Sequence, residues 1–509
     1  MGNAPSVTHP LKDRLISISL NPMKHSLLLG LLLLTQVACA QSDKEKAAAT
    51  VQKNTIQSHL YFLSDDLLEG RDTGSKGNKM AALYLANQLR RYGAQPIPGT
   101  GSYYQTFDLE RIQVPQFVNL SLKGTSYPLN LTLEMPALDL KGEALFLGYG
   151  TESDLEGHDL KGKLVVVYGG TEKGQNIRSL YGAAKEKRKR ARELGAIGLV
   201  ELVDIEEGPW TNLKHNWSQK ITNKKEETPE TPLPHVWVNI HAKDPGFAVG
   251  SSMPFTLASD GKRSTALPTQ NVIGIIEGTD PQLKNEYVIY SAHYDHIGIG
   301  RPNAEGDSIY NGARDNGIGV TAVLSMAENL AQYPTKRSAL FIFFTGEELG
   351  LLGSGYYVEH PVIPLKQMAY CFNTDGGGYN NTGLATIVGL ERTSAQHNIE
   401  TGAAAFGLKA VGDPAPEQNL FDRSDNVYFA QKGIPAPTYS TGFDAFDEAI
   451  EKYYHQADDE ADSLDYDYLL KFYQGYVLSG RLIANDPTFP TWVAGDKYEA
   501  AYKALHGVE

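Results

Sequence analysis

The sequence predicts an α/β fold: a mixed, mostly parallel central sheet covered by helices on both faces, with a β-rich domain inserted into it. Three observations carry this. From Asn271 onward strand-like and helix-like segments alternate, the pattern of a wound sheet. Residues 272–276, 287–291 and above all 339–344 are largely apolar runs, as expected where both faces of a sheet are covered. Between Asn130 and Pro268 the texture changes to short β-rich runs and turns, and 509 residues are too many for one ordinary core.

The elements follow in order. A leucine-rich run at 27–34 is preceded by Lys24 and His25 and followed by small residues, the layout of a secretory signal. It is too short to span a membrane permanently. Residues 1–40 are therefore expected to be an N-terminal extension and signal segment, with Met23 opening the pattern and residues 1–22 an over-extended gene start. A loose myristoylation pattern from Gly2 to Ser6 conflicts with that signal and is set aside. Cleavage after Ala40 leaves a soluble protein; cleavage before Cys39 leaves a lipid-anchored one, and that lipid is the only membrane contact expected. The destination is periplasmic, extracellular or an outer-membrane lipoprotein. Cys371 is left without an intramolecular partner, so disulfides are not expected to hold the fold.

Residues 51–91 read as helical, interrupted at Glu69-Gly70-Arg71-Asp72-Thr73-Gly74-Ser75. The second segment places Ala82, Tyr84, Leu85, Leu89 and Tyr92 near one face and stops at Gly93. Residues 146–150, 163–168 and 198–202 look like strands, with a basic helix over 177–194. The domain reading is 50–129 with 269–509, interrupted by an insertion at 130–268. A net charge of −14 opposes a nucleic-acid partner. The basic run 185–192 reads as a solvated helix face, and the acidic run 458–467 as a solvated loop leading into a helix over 468–483.

Five polar clusters lie in the second half, most of them just after an apolar run: His293-Tyr294-Asp295, Asp315-Asn316, Glu347-Glu348, Asp375 and His455. Together they have the composition of a paired zinc site: imidazoles, a carboxylate able to bridge two ions, and a further carboxylate to move protons. Taken singly most have plainer readings. Asp315 would serve as a helix cap, and His455 as a histidine packed among aromatics. Glu347-Glu348 is the most specific, because two adjacent carboxylates repel each other unless a cation is near. Asp295 stands two residues beyond His293 in an extended segment, placed to orient its imidazole. In an open α/β sheet these clusters would meet beyond the carboxyl ends of the strands.

The phrases Ser291-Ala292-His293-Tyr294-Asp295-His296, Gly312-Ala313-Arg314-Asp315-Asn316, Thr345-Gly346-Glu347-Glu348, Asn373-Thr374-Asp375, Arg423-Ser424-Asp425, Gly433-Ile434-Pro435 and Tyr454-His455 resemble the co-catalytic zinc aminopeptidases. Relatives of that family include glutamate carboxypeptidase, glutaminyl cyclase and the transferrin receptor. The resemblance implies two zinc ions bridged by Asp315, with His293 and Glu348 completing one and Asp375 and His455 the other. It further implies Glu347 as general base, Tyr454 as stabiliser of the oxyanion, a cis Asp315–Asn316 peptide, and peptide substrates. Within the insertion, Asp159-Leu160-Lys161-Gly162-Lys163 with the valine run after it, and the helix running into Gly195-Ala196-Ile197-Gly198, resemble a protease-associated domain, which carries no catalytic residues. Two positions depart from the family pattern. Asn426 stands where many relatives have histidine, and Arg314 precedes the bridging aspartate; Arg314 and Arg423 are candidates to face a substrate carboxylate. The implied activity is an exported aminopeptidase, with a carboxypeptidase, a single-zinc glutaminyl cyclase and a non-catalytic receptor-like protein as the competing readings.

Overall fold

The computed structural model describes Met1, Gly2 and residues 41–508, apart from 128–129, 175–176, 218, 224–231, 242 and 244. The signal segment, with Lys24, the 27–34 run and Cys39, lies outside the described residues. In chain order the strands are β1 (Tyr104–Gln113), β2 (Val118–Leu122), β3 (Thr125–Tyr127), β4 (Asn130–Glu134), β5 (Ala137–Phe146), β6 (Leu164–Tyr168), β7 (Gly198–Val203) and β8 (Gln219–Asn223). They continue as β9 (His235–Asn239), β10 (Ser252–Asp260), β11 (Arg263–Ile276), β12 (Tyr287–His293), β13 (Ser338–Phe344), β14 (Met368–Thr374), β15 (Leu384–Val388), β16 (Lys409–Val411) and β17 (Thr438–Thr441). The helices that matter below are α1 (Asp43–Thr50), α2 (Lys53–Leu63), α3 (Lys76–Arg91), α4 (Ile177–Glu193), α5 (Gly319–Gln332), α6 (Leu352–Glu359) and α7 (Tyr466–Asn485).

The larger sheet runs β16-β15-β17-β14-β12-β13-β11-β1-β8. Its centre, β14-β12-β13, is parallel, while β11 and β1 pair antiparallel on one side and β15 meets β17 antiparallel on the other. β13 is buried at every residue. Ala339, Phe341 and Phe343 join one core and Leu340, Ile342 and Phe344 the other. That is the physical meaning of its unbroken apolar sequence, since strand side chains alternate faces and both faces are covered. α2, α3, α5 and α7 pack the first core. α3 begins where the Ser75 hydroxyl accepts the Asn78 amide and ends before Gly93, which has a left-handed φ of 80°. Its buried residues include Ala82, Leu85 and Leu89, the expected face.

The smaller sheet runs β3-β2-β10-β5-β6-β7-β9-β4. It takes in β2 and β3, which precede residue 130, while β8, from within the expected insertion, pairs with β1 in the larger sheet. The expected strand at 146–150 is a turn: β5 ends at Phe146, and Gly148 and Gly150 take positive φ. α4 forms as expected, but its basic face is not all solvated. Lys187 is buried and its Nζ lies 3.0 Å from Glu201, which also accepts from His235 Nε2 (2.7 Å) and Trp237 Nε1 (2.9 Å). A charge that leaves water needs such partners.

Candidate metal centre

His293 is the last residue of β12, Glu347 and Glu348 follow the end of β13, and Asp375 follows β14 directly. Because β12 and β14 are parallel neighbours with Ser291 opposite Asn373, His293 and Asp375 emerge side by side. Asp315 sits in the turn Ala313–Ile318 that leads into α5, and its peptide to Asn316 is cis. It is no helix cap: the cap position is Gly312, left-handed at φ 60°. A Cβ on Gly312 would meet the Asp315 carbonyl at 2.3 Å and the His296 ring at 2.7 Å, so only glycine allows this approach. His455 comes from the opposite rim, itself at φ 56°.

The five candidate ligands converge in two groups that share Asp315. Asp315 Oδ1 is 3.3 Å from His293 Nε2, which is also 3.3 Å from Asp375 Oδ1. Asp315 Oδ2 is 3.1 Å from His455 Nε2, which is also 3.1 Å from Glu348 Oε2. This corrects the partition implied by resemblance. His293 groups with Asp375 and His455 with Glu348, because strand adjacency fixes the first pair and leaves the turn after β13 to meet His455.

The donor set fits zinc. Within each group the ligand atoms lie within 4.8 Å of one another, and His296 joins the group of Asp315, Glu348 and His455. Among the described residues His455 Nε2 makes no well-directed hydrogen bond despite its two carboxylate neighbours, as expected of lone pairs aimed at a common point. His293 Nδ1 is 3.2 Å from the main-chain oxygen of Asp295, which leaves Nε2 free to ligate. The Asp295 carboxylate, expected to orient this ring, is 3.8 Å away and otherwise engaged: it accepts from Thr73 Oγ1 (2.9 Å) and from the Glu347 amide (3.2 Å). Asp295 therefore orients His293 through its backbone and the Glu347 turn through its side chain.

Charge is dense here. Burial pushes Glu347 well above the usual carboxylate range, with Asp375, Glu348 and Asp425 adding to it. Burial also raises Asp295 to about 6 and Asp425 to about 7. Although burial opposes it, His455 is raised to about 10 by Asp315 and Glu348, while Glu348 is lowered to about 2 through His296 and His455. Imidazolium-carboxylate pairs thus compensate one another where cations would sit.

His296, within a quoted phrase but given no role from sequence, bonds Glu348 Oε1 through Nδ1 at 2.7 Å. Asp459, inside the acidic run read as solvated, is fully buried and accepts the Arg314 and Asp315 amides at 2.9 to 3.1 Å. Arg314 is buried too, paired with Asp459 at 3.0 Å and stacked 3.7 Å from the Tyr453 ring centre. It is therefore not placed to meet a substrate. Arg423 is exposed, with Nη2 3.4 Å from the Tyr454 hydroxyl. Asn426 donates to the Phe421 and Ala436 carbonyls, a structural use of the departed histidine position. Beside the cluster opens a cleft walled by Val388, Leu420, Phe443, Phe446 and Ile450, with Gly376, Gly377 and Gly378 along one edge.

Acids and imidazoles gathered around a shared carboxylate, beyond the carboxyl ends of parallel strands, define the class: a metal-dependent hydrolase. The family model of peptidase family M28 matches residues 271–477. Residues 271–477 thus carry the signature of that family, and the chain is a zinc metallo-exopeptidase. It is 25% identical over 425 residues, 80% of each chain, to the aminopeptidase YwaD of Bacillus subtilis. It is 27% identical over 306 residues, 55% of this chain and 56% of the other, to a probable lipoprotein aminopeptidase of Mycobacterium tuberculosis. In fold it is similar to an aminopeptidase from Aneurinibacillus, with a TM-score of 0.57 at 20% identity over 87% of this chain and 97% of that one.

Proposed function

We propose that this chain is an exported aminopeptidase that removes single residues from peptide N-termini with two zinc ions. The observation that carries the reading is the division of the Asp315 carboxylate, one oxygen toward His293 and Asp375 and the other toward His455 and Glu348. His293, Asp315 and Asp375 would hold one zinc, and Asp315, Glu348 and His455 the other. When bound, such a pair supplies Lewis acidity and brings the pKa of water toward neutrality.

The protein's own residues do the rest. Glu347, raised by burial and not ligating, takes a proton from the attacking water and returns it to the leaving amine nitrogen. Asp295 keeps the Glu347 turn in place by accepting a hydrogen bond from the Glu347 amide. Tyr454, with Arg423 beside its hydroxyl, faces the cleft as donor to the oxygen that gains charge. The apolar wall takes the side chain of the residue to be released.

The inserted segment is read as a protease-associated domain, and the signal with Cys39 as secretion or a lipid anchor. No helix among the described residues is long and apolar enough to cross a membrane. Arg423, exposed on the cleft, favours a carboxypeptidase as the second reading. A glutaminyl cyclase would bind one zinc, and a receptor-like protein would be expected to lack ligands that this chain keeps. The test is release of free amino acids from unblocked dipeptides before and after chelation, with zinc added back. N-blocked substrates should resist and C-blocked ones should be cleaved; the reverse pattern would refute the aminopeptidase assignment.

A further inference from the structure

The motif Glu69-Gly70-Arg71-Asp72-Thr73 interrupts the N-terminal helices and contributes no ligand, yet it is wedged between two of the ligand-bearing segments. Glu69, Gly70 and Arg71 all adopt positive φ. A Cβ on Gly70 would meet the carbonyl oxygens of Gly298 and Tyr310 at 2.5 and 2.6 Å, so the chain passes there only as glycine. The turn delivers Arg71 to a site where it is 1% exposed. Its Nε donates to the Tyr294 carbonyl (2.9 Å), Nη1 to those of Asn311 (2.6 Å) and Leu63, and Nη2 to that of Gly312 (3.0 Å).

Two features set this arginine apart. Among the described residues its guanidinium donates only to main-chain oxygens, and three of the four lie beside metal-ligand candidates: Tyr294 next to His293, and Asn311 with Gly312 just ahead of Asp315. The fork spans the end of β12 and the loop into the Asp315 turn, and ties both to the end of α2. Its charge also faces a cluster of acids. Burial lowers the guanidinium to about 10, opposed by the fields of Asp459, Asp295, Asp315 and Glu348. A planar group with five donors can hold three segments at once; an ammonium cannot match that geometry.

We propose that Arg71 is a positioning residue of the metal centre, fixing the separation of His293 from Asp315 so that the two ligand groups are preset before metal arrives. The proposal rests on the zinc reading of the site. The test uses the full-length metal-free chain: zinc affinity by competition with a chromophoric chelator well below the unfolding temperature, the thermal midpoint, and kcat. Arg71→Lys keeps the charge but not the fork. It should fold and bind zinc about ten- to a hundredfold more weakly than wild type, the loss typical of removing a residue that orients ligands, with kcat reduced more than KM changes. Arg71→Met should be weaker still; if it does not fold, the lysine variant decides. An Arg71→Lys chain that binds zinc and turns over as wild type does, whatever its midpoint, would make Arg71 merely structural and overturn the proposal. A wild-type chain that takes up no zinc would instead overturn the reading of the site, and this role with it.

Discussion

Asp459 holds Asp315 by its backbone: the buried carboxylate accepts the Asp315 amide at 3.1 Å and the Arg314 amide at 2.9 and 3.0 Å, while its own carbonyl accepts the Ala313 amide at 3.1 Å. The turn carrying the shared carboxylate is thus fixed from below by one residue, which also neutralises Arg314. Replacing Asp459 by Asn leaves Arg314 buried without its counter-charge. The expected loss is about 3–5 kcal/mol, as for one half of a broken buried pair. Urea unfolding of the metal-free chain measures it, and an unchanged midpoint would contradict the role.

Glu347 is the only acid of the Glu347-Glu348 pair outside the two ligand groups. Glu347→Gln should keep wild-type zinc content and KM while kcat falls by about 10²–10⁴, the range for loss of a general base. Metal analysis beside a dipeptide assay checks it; near-normal turnover would refute the assignment.

The two groupings make separable predictions for metal content. His455→Ala should lower bound zinc from two to one per chain, leaving the His293, Asp315 and Asp375 group. Asp315→Ala should weaken both sites. Metal analysis after dialysis tells them apart, and a His455→Ala chain retaining both ions would argue against the grouping.

In the inserted segment, burial lowers the His235 pKa, while Glu201, despite its own burial, is lowered by His235 and Lys187. The sign follows from linkage. A group whose folded pKa lies below its unfolded value contributes stability that is present above the unfolded value and lost as pH falls through the folded one. For His235 that loss begins below about pH 6.5, and for Glu201 below about pH 4.3. Measured against the intrinsic exchange rate at each pH, hydrogen-exchange protection in β7 and β9 should therefore fall between neutral pH and about pH 5, more than in β13, which has no buried titratable side chain. An equal loss of protection in all three strands would rule this cluster out as the cause.

Much of the site was legible because its groups lie at the ends of apolar runs. His293, Glu347, Glu348 and Asp375 all follow strands whose both-face burial writes itself as unbroken hydrophobic sequence, and chain topology then dictates a common edge. Arg71, Asp459 and Lys187 were not legible for the opposite reason. They act on main-chain atoms or on partners distant in sequence, and two of them sit in charge runs whose composition says solvent while the fold supplies a buried counter-group. The partition of ligands likewise depends on which strands are neighbours, a property of topology that no local spacing encodes.

The return of β8 to the larger sheet ties residues 130–268 to the strands on either side of them in sequence. Ile221 of β8 packs with Phe107, Leu109 and Leu352, and Leu352 opens α6 five residues beyond Glu347. Cutting out residues 130–268 would carry away this outermost strand, leave the ten-residue β1 as a bare hydrogen-bonding rim, and uncover greasy surface beside the turn that carries Glu347. A trimmed chain would then tend to recruit a substitute strand from another molecule, so minimal versions of this enzyme should be built around Gln219–Asn223 and not across it.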